Sequence, residues 1–192
     1  EKISKKTVKI YKFAGKTAEE ISAQLDSIQL KESPSHVIIH VGTNNLPTDT
    51  AKTCSTKIGK LADDIKVRFP QSKVGISGLT IRKDRDLDGK LNQTNNDLRS
   101  LCISQGYTFI DNENINSSAL NSSKLHLNVK GSAYLAVNFI NFIRNKVFSK
   151  RRSKQLRNQD FPNVQLLQLG NYLTTLAMTN PTRSIQKRVR GR

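Results

Sequence analysis

Four times along this chain a short β-branched or aromatic run gives way to a longer segment with apolar residues at helical spacing. No other feature constrains the fold as tightly, because strands separated by helices pair in parallel through right-handed crossovers. The strand runs are TVKIYKF (7–13), residues 36–41, KVGISGL (73–79) and YTFID (107–111). The spacing predicts helices over 17–30, 50–69, 87–105 and 129–148. Thr17 and Glu20 form a capping box for the first, and Ile21, Leu25 and Ile28 mark its apolar face. In the second, Ala51, Cys54, Ile58, Leu61, Ala62, Ile65 and Phe69 share one face, and Pro70 closes it. Leu91, Leu98, Leu101 and Cys102 fall together in the third, and Asn128 is a possible N-cap of the fourth. The expected fold is α/β with a parallel sheet. Ligands of such sheets sit beyond the carboxyl ends of the strands. Here that edge carries Ala14-Gly15-Lys16, Gly42-Thr43-Asn44-Asn45, Gly78-Leu79-Thr80 and the loop before the last helix.

Length and charge divide the chain in two. Its 192 residues allow one domain, 1–148, and a tail, 149–192. The formal net charge of +17 is uneven: from Ser149 to Arg192 ten Lys and Arg face one acid, Asp160. Such a tail favours anionic partners, nucleic acid first and anionic lipid second. A solvated extension has the same composition. Leu166, Leu169, Leu173 and Leu176 keep helical spacing, which predicts a short amphipathic helix over 164–178, between basic clusters at 150–157 and 183–192. No apolar run approaches the roughly 18 residues of a membrane span. The first six residues do not read as a signal peptide. Cys54 and Cys102 occupy apolar helix positions, as free thiols do in a reducing compartment, and an intracellular (cytoplasmic or nuclear) location follows as an expectation. No Cys/His spacing suggests a zinc site.

Three residues at the carboxyl edge could carry chemistry. Gly15 could offer its backbone N–H to a ligand because no side chain blocks approach, though a plain turn glycine fits equally. The Asn44 carboxamide could donate to a developing negative oxygen, and it could also close an Asx turn or cap a helix. His126, in KLHLNVKGS, is a general-base candidate by its place in a polar loop at the sheet edge, although a lone histidine often serves structure. His36 and His40 read as packing or capping residues.

Taken in order, FAG, VIIHVGTNNL and LHLNVKGSAYLAVNFINFI resemble the blocks of the SGNH hydrolases, or GDSL-type esterases. The resemblance covers about residues 7–148 and is most similar to SGNH-like domains carried by some animal retroelement-derived proteins. It implies a three-layer, flavodoxin-like sheet and ester or acetyl hydrolysis through an acyl-serine, with no metal or cofactor. It also implies oxyanion-hole roles for Gly15 and Asn44 and the base role for His126. The partner it implies is an ester or acetylated substrate, provided a longer parent chain is active.

The sequence departs from that pattern in three places. Gly-Asp-Ser, which holds the family's nucleophile, occurs nowhere, and only six residues precede the first strand run. The resemblance therefore implies a chain lacking the family's first strand, which lies between the strands at 7–13 and 36–41. Ser123 stands where the family has its triad Asp, and Asn45 stands where the Gly-x-Asn-Asp block ends in Asp. Losing the Asp–His arrangement costs a serine protease on the order of 10⁴ in rate. The expectation is an esterase-like domain that is catalytically incompetent as given. The alternative is a nucleic-acid-associated or assembly module of a retroelement-derived protein. Without the missing strand, the two flanking strands must either pair directly or leave a marginal sheet.

Overall fold

The computed structural model describes residues 8–145 and, as backbone, residues 175–179. The elements run β1 (Val8–Lys12), α1 (Ala18–Ser22), β2 (His36–His40), α2 (Ala51–Arg68), β3 (Lys73–Ser77), α3 (Asp88–Gln105), β4 (Thr108–Ile110), α4 (Val129–Ile143) and β5 (Thr175–Thr179). They build one sheet of order β1-β5-β2-β3-β4. β2, β3 and β4 are parallel neighbours. β5 is antiparallel to both β1 and β2, so β1 runs in the same direction as the other three.

Alternation along β2 explains the layers. Val37 and Ile39 enter the core formed with α1, α2 and α3, whereas Ile38 enters the opposite core with Leu135, Phe139 and Phe142 of α4. Successive strand residues point to opposite faces, so a run apolar at every position needs cover on both. Ile38, Ile39, Ile58, Ile65 and Ile76 are almost wholly buried, and each contributes roughly 1.5–3 kcal/mol relative to exposure.

The expected helix starts are present. Thr17 and Glu20 make the capping box, the Thr50 hydroxyl accepts from the Thr53 N–H, and the Asn128 side chain accepts from the Gly131 N–H. The first helix is shorter than its apolar spacing predicts. It ends at Ser22, and a single 3-10 turn, Leu25–Ser27, follows. The Ser27 hydroxyl donates to the Gln24 carbonyl, a local bond that competes with helix continuation. Leu25 and Ile28 are still buried. α4 ends at Ile143, and residues 146–148 lie outside the described residues.

The tail departs most from expectation. Residues 175–178, predicted as the end of an amphipathic helix, belong to β5, and residues 164–174 and both basic clusters lie outside the described residues. The position between β1 and β2 is neither closed by direct pairing nor left open. β5 fills it, with Ala177 at the centre opposite Ile10 on one side and Ile38 on the other. The physical reason is the ladder. Two parallel strands held one strand-width apart present facing rows of N–H and C=O groups, and a single inserted strand satisfies both. The segment Thr175-Leu176-Ala177-Met178-Thr179 suits a strand because its two threonines are β-branched.

Among the described residues no helix is long and apolar enough to cross a membrane. Cys54 and Cys102 are free and buried, and burial pushes both thiols up to about 12.

Candidate functional site

β1 ends in a turn in which the Lys16 N–H donates to the Phe13 carbonyl at 3.2 Å. Gly15 takes a left-handed φ of +72°, and, its chain neighbours aside, no heavy atom of the described residues lies within 4 Å of where a Cβ would stand, so its face is open among them. β2 ends in a loop that starts at Gly42, with φ +109°. The positive φ favours glycine, and a Cβ there would stand 2.6 Å from Ile58 Cδ1 and push the end of that side chain aside.

The Asn44 side chain joins these two segments. Its Nδ2 donates to the Lys16 carbonyl at 3.0 Å, next to Gly15, which commits one of its two N–H groups to a backbone acceptor. Asn45 is the deeper anchor. It is buried; its Oδ1 accepts from the Ala18 N–H at 3.0 Å, and its Nδ2 donates to Glu19 at 2.8 Å and Asp49 at 3.0 Å. Burial pushes the Glu19 carboxyl up, but hydrogen bonds from Lys57 and Asn45 outweigh that and hold it at about 2. Asn45 thus ties the first turn of α1 to the loop after β2.

Arg82 fixes the other side of the loop. It is buried, donates from Nη1 to the Thr43 carbonyl at 3.0 Å, and grips Asp84 through Nε at 2.8 Å and Nη2 at 2.6 Å. The Arg82 hydrogen bonds hold the Asp84 carboxyl below its ordinary value, so this carboxylate is already neutralised by its partner. The sequence singled out neither Asn45 as an anchor nor Arg82. Their partners lie far along the chain, and the only local signals are adjacent carboxamides after a strand and an Arg followed two residues on by Asp.

His126 lies in the loop between β4 and α4. The Lys83 N–H donates to the Lys124 carbonyl at 2.8 Å, which holds this loop beside the one following β3. The Asn121 N–H donates to the His126 carbonyl at 2.8 Å, and Lys124, with φ +59°, makes the turn between them. Asn128 locks the far end: its Nδ2 donates to the Ser118 and Leu120 carbonyls at 2.9 and 3.0 Å. The ring is half-buried, and its Nδ1 is buried without a hydrogen-bond partner among the described residues. Ser123, at the position of the expected acid, is exposed and donates to Asn121 Oδ1 at 2.6 Å.

A serine–histidine pair lies inside the domain. His40 Nδ1 is 2.9 Å from Ser77 Oγ, and Asn112 and Asn138 extend the chain of hydrogen bonds from Ser77. His40 and Ser77 are 3 % and 1 % exposed, too enclosed for any substrate to reach. His40 also packs edge-on against Phe139, with ring centroids 5.8 Å apart. These contacts make it the packing residue expected from the sequence.

The arrangement therefore brings the Gly15 turn and Asn44 together through Lys16, and it places His126 on the loop beside the segment that follows β3. Among the described residues no three His, Cys, Asp or Glu side chains gather as metal ligands.

No protein-family model and no curated protein matches the sequence. Solved structures do resemble this one. A GDSL-like lipase from Bacteroides thetaiotaomicron is 16 % identical, with a TM-score of 0.59 over 69 % of this chain and 73 % of that one. An alpha/beta hydrolase enzyme from the metagenome of Lake Arreo, Spain, is 16 % identical, with a TM-score of 0.53 over 70 % and 71 %. A catalytic mutant of an acetylxylan esterase from Geobacillus stearothermophilus is 15 % identical, with a TM-score of 0.54 over 70 % and 69 %. At these identities the likeness shows the fold alone: three layers around a largely parallel sheet, in the manner of the flavodoxin-like SGNH hydrolases.

Proposed function

We propose that this chain is an esterase-fold module that keeps the base and oxyanion-hole positions of an SGNH hydrolase and does not hydrolyse esters as given. One observation carries the reading. His126 Nδ1, the atom an orienting carboxylate would contact, is buried without a hydrogen-bond partner among the described residues, and Ser123 is bonded instead to Asn121. A carboxylate in that role fixes the tautomer and stabilises the imidazolium, and a serine hydroxyl does neither. The sequence lacks the family's Gly-Asp-Ser as well, so the Gly15 and Asn44 positions come without the nucleophile that this motif supplies in the family. The ligand class that fits is an ester or acetylated compound, provided a longer parent chain that carries the motif is active. An active-site serine reacts covalently with fluorophosphonates. Intact-mass analysis after such treatment is expected to show no adduct, and a stoichiometric adduct lost in a His126→Ala variant would overturn the reading.

The concentration of charge favours a second reading, a nucleic-acid-associated module of a retroelement-derived protein. The clusters at 150–157 and 183–192 contain no aromatic residue, so contacts would be to phosphate rather than stacked bases. If about five to eight charges engage duplex DNA, log affinity should fall against log salt with a slope of roughly −4 to −7. The control neutralises the Lys and Arg of both clusters rather than truncating the tail, since truncation also removes β5. Fluorescence anisotropy over a salt series should show the slope largely abolished in that variant. An unchanged slope would move the binding to the domain surface.

A further inference from the structure

The strand slot is not bound by connectivity to the β5 of its own chain. β5 makes two ladders, of five register pairs each, and both are with the domain's strands. Among the described residues β1 has no other strand partner, so its place in the sheet depends on β5. Residues 146–174 separate the end of the α4 region from β5. Fully extended at about 3.3–3.6 Å per residue, such a stretch reaches roughly 100 Å, several times the ~30 Å span of a small domain. We infer that the slot between β1 and β2 accepts β5 from a second copy of the chain, by reciprocal exchange.

Exchange conserves every backbone pair, because the acceptor strands and the donor strand are the same in both arrangements. Nothing is lost but tethering. Linking two segments in one chain brings them together at an effective concentration of up to the order of mM. The strand therefore stays within its own chain at micromolar protein and exchanges as the concentration approaches that value. The register gives the exchanged form a consequence for the site. Thr175 lies opposite Lys12 and His40, at the end where the Gly15 turn and the 42–45 loop begin. In the exchanged pair each copy contributes that residue to the site edge of the other.

The test uses the full chain and the register pair Lys9 and Met178. A Lys9→Cys/Met178→Cys double variant should close a disulfide within one chain at micromolar concentration, which checks the register. Single variants Lys9→Cys and Met178→Cys are then mixed, unfolded in urea, refolded together from about 10 µM to about 1 mM, and oxidised only after refolding. Cys54 and Cys102 are by then buried, with little thiolate to react. The expected product is a mixed disulfide-linked dimer whose fraction rises about tenfold per tenfold in concentration while it is the minor species. Lys12→Cys mixed with Met178→Cys is out of register and gives the collision background. A mixed dimer no more abundant than that background, alongside closure of the double variant, would overturn the inference. Failure of the double variant to close would overturn it as well, because β5 would not occupy the slot.

Discussion

Replacing Ala177 with proline is expected to destabilise the domain by roughly 1–3 kcal/mol, the cost of a buried ladder acceptor left unpaired. Ala177 is the middle residue of β5, opposite both Ile10 and Ile38. Proline removes a ladder donor, and sheets tolerate it only at edges and bulges. β5 is interior in strand order, with β1 on one side and β2 on the other. The damage should reach the core through β2, whose Val37, Ile38 and Ile39 are almost wholly buried. A chain ending at Asn145 should show a loss of the same kind, since it removes the same ladders. Urea unfolding followed by circular dichroism reads the effect as a lower midpoint. An Ala177→Pro midpoint equal to that of the parent would show that the sheet does not depend on this strand.

Stability should also fall steeply as the pH drops from about 6.5 to about 4, and His40 is the reason. Desolvation by burial lowers its pKa to about 4 in the folded chain, against 6.5 as the ordinary value. Between those values the unfolded chain binds a proton that the folded chain refuses, so stability rises with pH across the window. The contribution is complete above 6.5 and is lost as the pH falls through about 4. At about 1.4 kcal/mol per pH unit, the loss is roughly 3 kcal/mol. His36 is lowered too, first by desolvation and then by the Lys73 charge, and acts in the same direction. Glu19, held at about 2 against 4.5, is lost at lower pH, with its contribution present above 4.5. The decisive comparison is therefore parent against His40→Asn. The variant should flatten the slope between pH 6.5 and 4.5, and an unchanged slope would assign the effect to other groups.

The two results bear differently on what the sequence disclosed. α2 was legible because seven apolar residues repeat on one face between a threonine cap and a proline stop. α1 was overextended because Leu25 and Ile28 satisfy helical spacing and burial equally well through a 3-10 turn. β5 was misread because a short apolar stretch with leucines three and four apart fits helix or strand, and only the empty place between β1 and β2 decides between them. Gly15, Asn44 and His126 could be singled out because each follows a strand or precedes a helix in a short motif. Asn45 and Arg82 could not, because a buried polar anchor is defined by partners such as Ala18 and Thr43 that only the fold brings near.

We propose that the site holds a base and oxyanion-hole positions with nothing to attack an ester. Hydrolysis of p-nitrophenyl acetate by the full chain measures it most directly, with a His126→Ala variant at the same concentration as the reference. Both should turn this ester over at the same rate, indistinguishable from buffer. A rate well above buffer that disappears in His126→Ala would contradict the proposal, because another residue or an activated water would then be supplying the nucleophile.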